Sequence, residues 1–105
     1  MTELVSAARL PPLHPGEVLR EEFLKPLALG AIAVARACGV PRTRIERILR
    51  EETGITADTA LRLGRYFGTS AGLWINLQAR FDLASAELVL GPDLDRIAPL
   101  RREAA

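Results

Sequence analysis

The stretch AIAVARACGVPRTRIERIL, which covers residues 31–49, decides the fold. Its first eight residues are mainly small and apolar, as in a closely packed helix. Gly39 follows them, and glycine readily adopts the left-handed conformation that ends a helix in a sharp turn. Pro41 then permits a new helix, because a proline at the first helical position loses no hydrogen bond. The sequence therefore predicts one helix over about 31–38, a tight turn, and a second helix over about 41–50.

The second helix of this stretch has an apolar face and a basic face. The apolar residues recur at i, i+3 and i+4, the spacing of a buried helical stripe, and are Ile45, Ile48 and Leu49. At ~100° per residue, Thr43, Arg47 and Arg50 point the opposite way. A helix held at a fixed angle by the helix before it can enter the DNA major groove. The pattern therefore predicts a helix-turn-helix that binds nucleic acid.

Composition and charge agree with a small domain that has one basic face. The chain has 105 residues, of which 49% are hydrophobic, enough for a single domain with a buried core. The net charge is only +1. Residues 36–50, however, hold five arginines against a single acid, Glu46, which gives a local net charge of +4. This uneven distribution favours an anionic partner at one face.

The sequence does not indicate an enzyme, a metal site or a membrane protein. Cys38 is the single cysteine, which excludes an internal disulfide and agrees with a reducing, cytoplasmic location. We expect it to be a small buried residue. His14 stands beside a proline without a metal-binding or nucleophile–base pattern around it, and we expect it to cap the first helix. No catalytic residue, metal or cofactor is predicted, and neither a signal peptide nor a membrane span.

Proline positions divide the chain into three parts. An N-terminal arm is expected over 1–12, because consecutive prolines at its end forbid a helix there. The helical domain should cover 13–89. A flexible tail is expected over 90–105, where the chain becomes polar and is interrupted by prolines. Because no strand-like alternation occurs anywhere, the predicted class is all-α.

Capping residues delimit the other helices. The first helix should run from about Pro15 or Gly16 to Lys25, with Pro26 ending it. The expected caps of the fourth and fifth helices are Thr56, Gly68 and Ser70. Trp74 in the fifth helix is expected in the core, with a dimer interface as the second possibility.

Five motifs follow one another over about residues 13–84. They are HPGEVLREEFLKPL (14–27), GVPRTRI (39–45), ITADTALRLGR (55–65), GTSAGLWINLQ (68–78) and RFDL (80–83). Their sequence and order resemble the HigA family of antitoxins, which carry an XRE/Cro-type helix-turn-helix. The resemblance implies a five-helix, lambda-repressor-like domain.

The resemblance also implies a function and two partners. It implies a homodimer that represses its own operon by binding a palindromic operator, with two recognition helices ~34 Å apart, one turn of DNA. It further implies a cognate HigB-type toxin, a RelE-like ribonuclease that cleaves mRNA and that the antitoxin neutralises by direct binding.

Residues for DNA contact follow from the matching positions. Arg42, Thr43 and Arg47 are expected to read bases, since arginine can pair with guanine at two points and threonine can meet a thymine methyl group. Arg44 and Arg50 are expected to contact phosphates, which fix the register without reading sequence.

Two places depart from the family pattern. The second helix of the family opens with polar residues that grip a phosphate, whereas Gly30 and Ala31 stand here. The loop after the recognition helix is usually Asn-Gly followed by basic residues, whereas Glu51 and Glu52 stand here and would bring two carboxylates toward the DNA backbone. Because each lost phosphate contact lowers both the affinity and its salt dependence, DNA binding is expected to be weakened or remodelled.

Two alternative functions therefore remain open at the level of the sequence. One is a toxin inhibitor that acts only through protein contacts and whose DNA affinity has fallen to the non-specific range. The other is a stand-alone transcriptional regulator without a toxin.

Overall fold

The computed structural model describes residues 11–101, which form five helices joined by short loops. The first, α1, is composite, with an α-helical turn at Pro15–Val18, a π-helical segment at Leu19–Leu24 and a last turn at Lys25–Leu27. The others are α2 (Ala31–Cys38), α3 (Arg42–Leu49), α4 (Ala57–Phe67) and α5 (Ala71–Leu94). No strand occurs within 11–101, so the predicted all-α, five-helix class is confirmed. The predicted arm lies almost entirely outside the described residues, as do the last four residues of the predicted tail.

All five helices contribute to one hydrophobic core. Its largest fully buried aliphatic and aromatic side chains are Leu19, Val34, Ile45, Ile48, Leu63 and Trp74. The indole N–H of Trp74 donates to the hydroxyl of Thr69 at 3.0 Å, and the ring of Phe23 packs 5.1 Å away. Trp74 is therefore a core residue, as expected, and its alternative placement in a dimer interface is wrong.

The beginning of α1 is fixed against the end of α3. His14 is the N-cap of α1, and its Nδ1 accepts a hydrogen bond from the N–H of Gly16 at 2.8 Å. The buried imidazole also packs edge-on against Phe81 of α5, with 4.7 Å between ring centroids. Gly16 lies so close to Ile48 that an added Cβ would overlap the backbone carbonyl of that residue. The prediction that His14 caps the first helix is confirmed.

The end of α1 differs slightly from the prediction. Lys25 donates its backbone N–H to the carbonyl of Arg20, five residues back, which is the π-helical pattern. Pro26 has no N–H to donate but stays inside the last turn. The helix ends at Leu27, two residues beyond the predicted last residue Lys25, and its C-cap Ala28 adopts a left-handed conformation with φ of 54°. The chain reversal thus depends on Ala28, and Pro26 alone does not end the helix.

The predicted caps of the later helices are confirmed. Thr56 accepts from the N–H of Thr59 at 3.3 Å, and Ser70 accepts from the N–H of Leu73 at 3.0 Å. Gly39 and Gly68 end α2 and α4 in the left-handed region, with φ of 69° and 74°. These caps satisfy backbone groups that a helix terminus leaves without partners.

The end of α5 lies beyond the predicted position. The sequence predicts it at about Val89, but the helix continues to Leu94 and includes Pro92. A proline removes one helical hydrogen bond, and here the ladder resumes immediately, with Asp95 donating to the carbonyl of Gly91 at 3.1 Å. The first five residues of the predicted tail therefore belong to α5. No helix in the described part of the chain is long and apolar enough to cross a membrane.

Replacing Gly16 with alanine tests the contact between α1 and α3. Because the new methyl group would meet a backbone carbonyl that cannot turn away, Gly16→Ala should lower the free energy of unfolding by about 2–3 kcal/mol or more. Urea denaturation followed by circular dichroism measures this change.

Gly91→Ala is the matched control, because no atom lies within 4 Å of the position of its added Cβ. Alanine is the better helix former there, so this variant should be neutral or up to about 1 kcal/mol more stable. Equal stabilities of the two variants would contradict the proposed close approach.

Candidate nucleic-acid interface

The two faces of α3 are separated as the sequence predicts. Ile45 and Ile48 are completely buried, whereas Arg42, Thr43 and Arg47 are exposed. The buried face fixes the rotation of the helix about its axis, because turning it would expose both isoleucines. The exposed side therefore has a defined direction.

Three of the predicted site residues line one surface cleft. Thr43, Arg44 and Arg47 lie along one side, and the loop before α4 and the first turn of α4 form the other, with residues Thr53, Gly54, Thr56, Asp58 and Thr59. Arg42 and Arg50 do not line this cleft. The structure thus brings together one predicted phosphate contact and two predicted base-reading residues.

Arg20 of α1 anchors the C-terminal end of α3. Its guanidinium donates to the carbonyl oxygen of Leu49 at 2.6 Å and to the carboxylate of Glu51 at 3.2 Å. Arg20 also donates to the carboxylate of Glu21. The hydrogen bond to Glu21 raises the pKa of Arg20 most, and the hydrogen bond to Glu51 raises it further. Arginine at the last carbonyl of a helix also interacts favourably with the helix dipole. No pattern in the sequence signals this anchor, because its partners lie about thirty residues away.

Arg62 of α4 anchors the turn of the helix-turn-helix. It donates to the carbonyl oxygen of Cys38 at 2.8 Å and to that of Gly39 at 3.4 Å. Its Nε also donates to Asp58 at 2.8 Å, and Asp58 accepts from Arg44 of α3 at 2.7 Å. The hydrogen bond from Arg62 lowers the pKa of the Asp58 carboxyl most, and the hydrogen bond from Arg44 lowers it further. The i, i+4 spacing of Asp58 and Arg62 could have revealed one of these pairs from the sequence.

Most arginines of the predicted interface already have a carboxylate partner. Arg42 pairs with Glu46 at 3.4 Å, Arg44 with Asp58 at 2.7 Å, and Arg50 with Glu52 at 3.0 Å. Among the residues that the structure describes, Arg47 forms no ion pair. Arg47 is therefore the arginine on this face whose charge is least compensated within the chain.

The two glutamates after α3 point to different partners. Glu51 adopts a left-handed backbone conformation with φ of 62°, and its carboxylate contacts Arg20 of α1. Glu52 instead binds Arg50, which lowers the pKa of the Glu52 carboxyl and raises that of Arg50. The turn thus directs the Glu51 carboxylate onto Arg20 of α1, whereas the Glu52 carboxylate stays beside Arg50.

The beginning of α2 agrees with the expected loss of a phosphate-gripping side chain. Gly30 is the N-cap and makes no side-chain capping hydrogen bond. Ala31 adds no polar group, so only backbone N–H groups are available at this helix end.

Cys38 has the structural role expected from the sequence. It is buried at the end of α2, and its Sγ lies 3.8 Å from the carbonyl oxygen of Arg62. Burial raises the pKa of its thiol, which favours the protonated form. Within residues 11–101, no group of three or more His, Cys, Asp or Glu side chains is arranged to hold a metal ion.

Comparison with known proteins identifies the family. No protein-family model matches the chain. Virulence-associated protein I of Dichelobacter nodosus is 58% identical over 78 residues, which is 74% of this chain and 72% of that protein. The structure of the Pseudomonas aeruginosa antitoxin HigA with the higBA promoter superimposes with a TM-score of 0.83 at 47% identity, covering 86% of this chain and 99% of that one. The chain belongs to the HigA family of antitoxins.

A second solved structure supports the assignment. The structure of the antitoxin GraA in complex with its operator superimposes on this chain with a TM-score of 0.83 at 44% sequence identity. The superposition covers 89% of this chain and 95% of the GraA chain. Membership in a family of antitoxins confirms that the chain is not an enzyme.

Proposed function

We propose that this HigA-family protein represses its own operon from the cytoplasm by binding a palindromic operator as a homodimer. The observation that carries the proposal is the basic face of α3, whose opposite face is completely buried at Ile45 and Ile48. Support comes from the similarity to HigA with the higBA promoter and to GraA with its operator. An exposed arginine-bearing helix with a fixed rotation is the geometry that major-groove recognition requires.

Each residue of the interface has a proposed role. Arg47 donates two hydrogen bonds to a guanine edge, and Arg42, oriented by Glu46, does the same at a neighbouring base pair. Thr43 contacts a thymine methyl group or a phosphate. Arg44 and Arg50 contact phosphates, which requires each to exchange an intramolecular carboxylate for the DNA backbone.

The homodimer is proposed to form through the second half of α5 and the residues that follow it. This part of the chain exposes large aliphatic residues, namely Leu83, Leu88, Val89, Leu90, Leu94, Ile97 and Leu100. Apolar side chains exposed together on a helix are normally covered by a partner, and two copies packed about a two-fold axis would remove these side chains from water. Two-fold symmetry of the dimer would match the two-fold symmetry of a palindromic operator.

The protein is also proposed to neutralise a RelE-like ribonuclease toxin by direct binding. The support is membership in a family of antitoxins, several of which have a solved structure similar to this one. Neutralisation by contact requires complementary surfaces and no catalytic group.

Replacing Arg47 with alanine tests DNA recognition. Loss of a two-point contact to guanine should weaken operator binding by about 5- to 150-fold, equivalent to about 1–3 kcal/mol. Gel shifts on the DNA upstream of the gene, at low salt, provide the measurement.

Arg65→Ala is the matched control for Arg47→Ala. Arg65 is also exposed, but it lines clefts on α4 that contain no residue of α3. If both variants bind the operator equally well, α3 does not read the DNA through Arg47. If the unmodified protein gives no shift at low salt, the operator proposal fails.

A charged substitution on α5 tests the dimer. Leu88 and Val89 are 73% and 76% exposed, so replacing both with glutamate should leave the fold intact but place charges in the proposed interface. Sedimentation analysis should give a dimer for the unmodified protein and a monomer for this variant. Leu61→Glu on α4, where the side chain is 65% exposed, should remain dimeric. An unmodified protein that sediments as a monomer, or a charged variant that stays dimeric, would show that α5 is not the interface.

Co-expression with a neighbouring RelE-like gene tests toxin neutralisation. The antitoxin should restore growth and co-purify with the toxin, and the Arg47→Ala variant should do so equally well, because neutralisation depends on protein contacts. Rescue without any operator binding would favour the alternative of a toxin inhibitor that acts only through protein contacts. Absence of both rescue and co-purification would exclude an antitoxin for that toxin.

A further inference from the structure

We infer that Glu52 limits the affinity of this protein for DNA by competing with a DNA phosphate for the guanidinium of Arg50. The inference rests on the proposed operator binding. It goes beyond the sequence-based expectation, which treats Glu51 and Glu52 alike, by assigning the competition for Arg50 to Glu52.

The Arg50–Glu52 pair has the geometry of a phosphate contact. Nε of Arg50 lies 3.0 Å from one carboxylate oxygen of Glu52, and Nη2 lies 3.4 Å from the other. A guanidinium binds phosphate through the same type of parallel, two-point arrangement. Because the same N–H groups would serve both partners, Arg50 cannot hold Glu52 and a phosphate in this way at once.

The backbone keeps Glu52 beside Arg50. After α3 the chain turns through hydrogen bonds from Glu51 to the carbonyl of Ile48 and from Glu52 to the carbonyl of Arg47, both 2.9 Å long. These hydrogen bonds fix the backbone of the turn and therefore hold the Glu52 side chain within reach of Arg50. The backbone conformation of the turn thus favours the Arg50–Glu52 contact.

The pair can open when DNA approaches. Both side chains are more than half exposed, and exposed ion pairs contribute little to stability. Arg50, with a weaker contribution from Arg47, keeps the pKa of Glu52 low, so the carboxylate is charged at neutral pH and remains a competitor. The expected consequence is a lower affinity without a change in fold.

Glu51 offers an internal comparison. It carries the same charge one residue earlier, but its carboxylate contacts Arg20, which also binds the end of α3. Neutralising Glu51 changes the overall charge as much as neutralising Glu52 does. Only the change at Glu52 releases an arginine of the interface.

The test compares Glu52→Gln with Glu51→Gln by fluorescence anisotropy on labelled operator DNA over a series of salt concentrations. Glu52→Gln should bind about 1.5- to 5-fold more tightly than Glu51→Gln, since one exposed ion pair no longer has to be broken. A plot of the logarithm of the association constant against the logarithm of the salt concentration should be steeper for Glu52→Gln than for Glu51→Gln. The slopes should differ by about 0.9 for each additional phosphate that the protein neutralises. The increase in affinity should be equal on unrelated DNA, because phosphate contacts carry no sequence information.

A double-mutant cycle with Arg50→Gln completes the test. Removing the Arg50 charge should weaken DNA binding less when Glu52 is present than in the Glu52→Gln background, where it should also cancel the increase in affinity. Equal affinities and equal salt slopes for Glu52→Gln and Glu51→Gln would overturn the inference.

Failure of operator binding gives a different result. Operator recognition fails if the unmodified protein binds operator no better than unrelated DNA. The competition is still supported in that case if Glu52→Gln binds both DNAs more tightly than Glu51→Gln does. If neither variant binds any DNA at low salt, both proposals are overturned.

Discussion

The close approach of Gly16 to the carbonyl of Ile48 sets the position of α3 relative to the rest of the domain. Only a residue without a side chain allows the first turn of α1 to lie on the last turn of α3. His14 caps that turn and at the same time packs against Phe81 of α5. One contact point thus connects three helices, and the direction of the arginine-bearing face depends on it.

Two arginines extend this control to both ends of the helix-turn-helix. Arg20 binds the carbonyl of Leu49 at the end of α3, and Arg62 binds the carbonyls at the end of α2. Each satisfies backbone oxygens that a helix terminus leaves without intrahelical partners. The arginines of this chain therefore divide into those that hold the motif together and those that face outward, a division that composition alone does not show.

Local features of the fold were predictable, and long-range ones were not. The boundaries of α2 and the caps at Thr56 and Ser70 follow from residues within one helical turn, so the sequence was sufficient for them. The prediction fails at Pro92 because one missing hydrogen bond does not end a helix whose neighbouring bonds persist. The separation of Glu51 from Glu52 was also hidden, since it depends on a turn that places Glu51 against α1, 31 residues away.

The exposed face of α3 was predicted, but its electrostatics were not. Arg44 and Arg50 lie against Asp58 and Glu52, two carboxylates outside residues 36–50, so the net charge of +4 over that range overstates the attraction of this face for DNA. Breaking such pairs costs the same on any DNA sequence, whereas base contacts contribute only on the operator. Paired arginines therefore weaken binding to the very large number of non-specific sites in a genome without reducing the discrimination proposed for Arg47. For the proposed repressor, which would also have to bind a toxin, a weak attraction to bulk DNA combined with a base contact from Arg47 would keep more of the protein free.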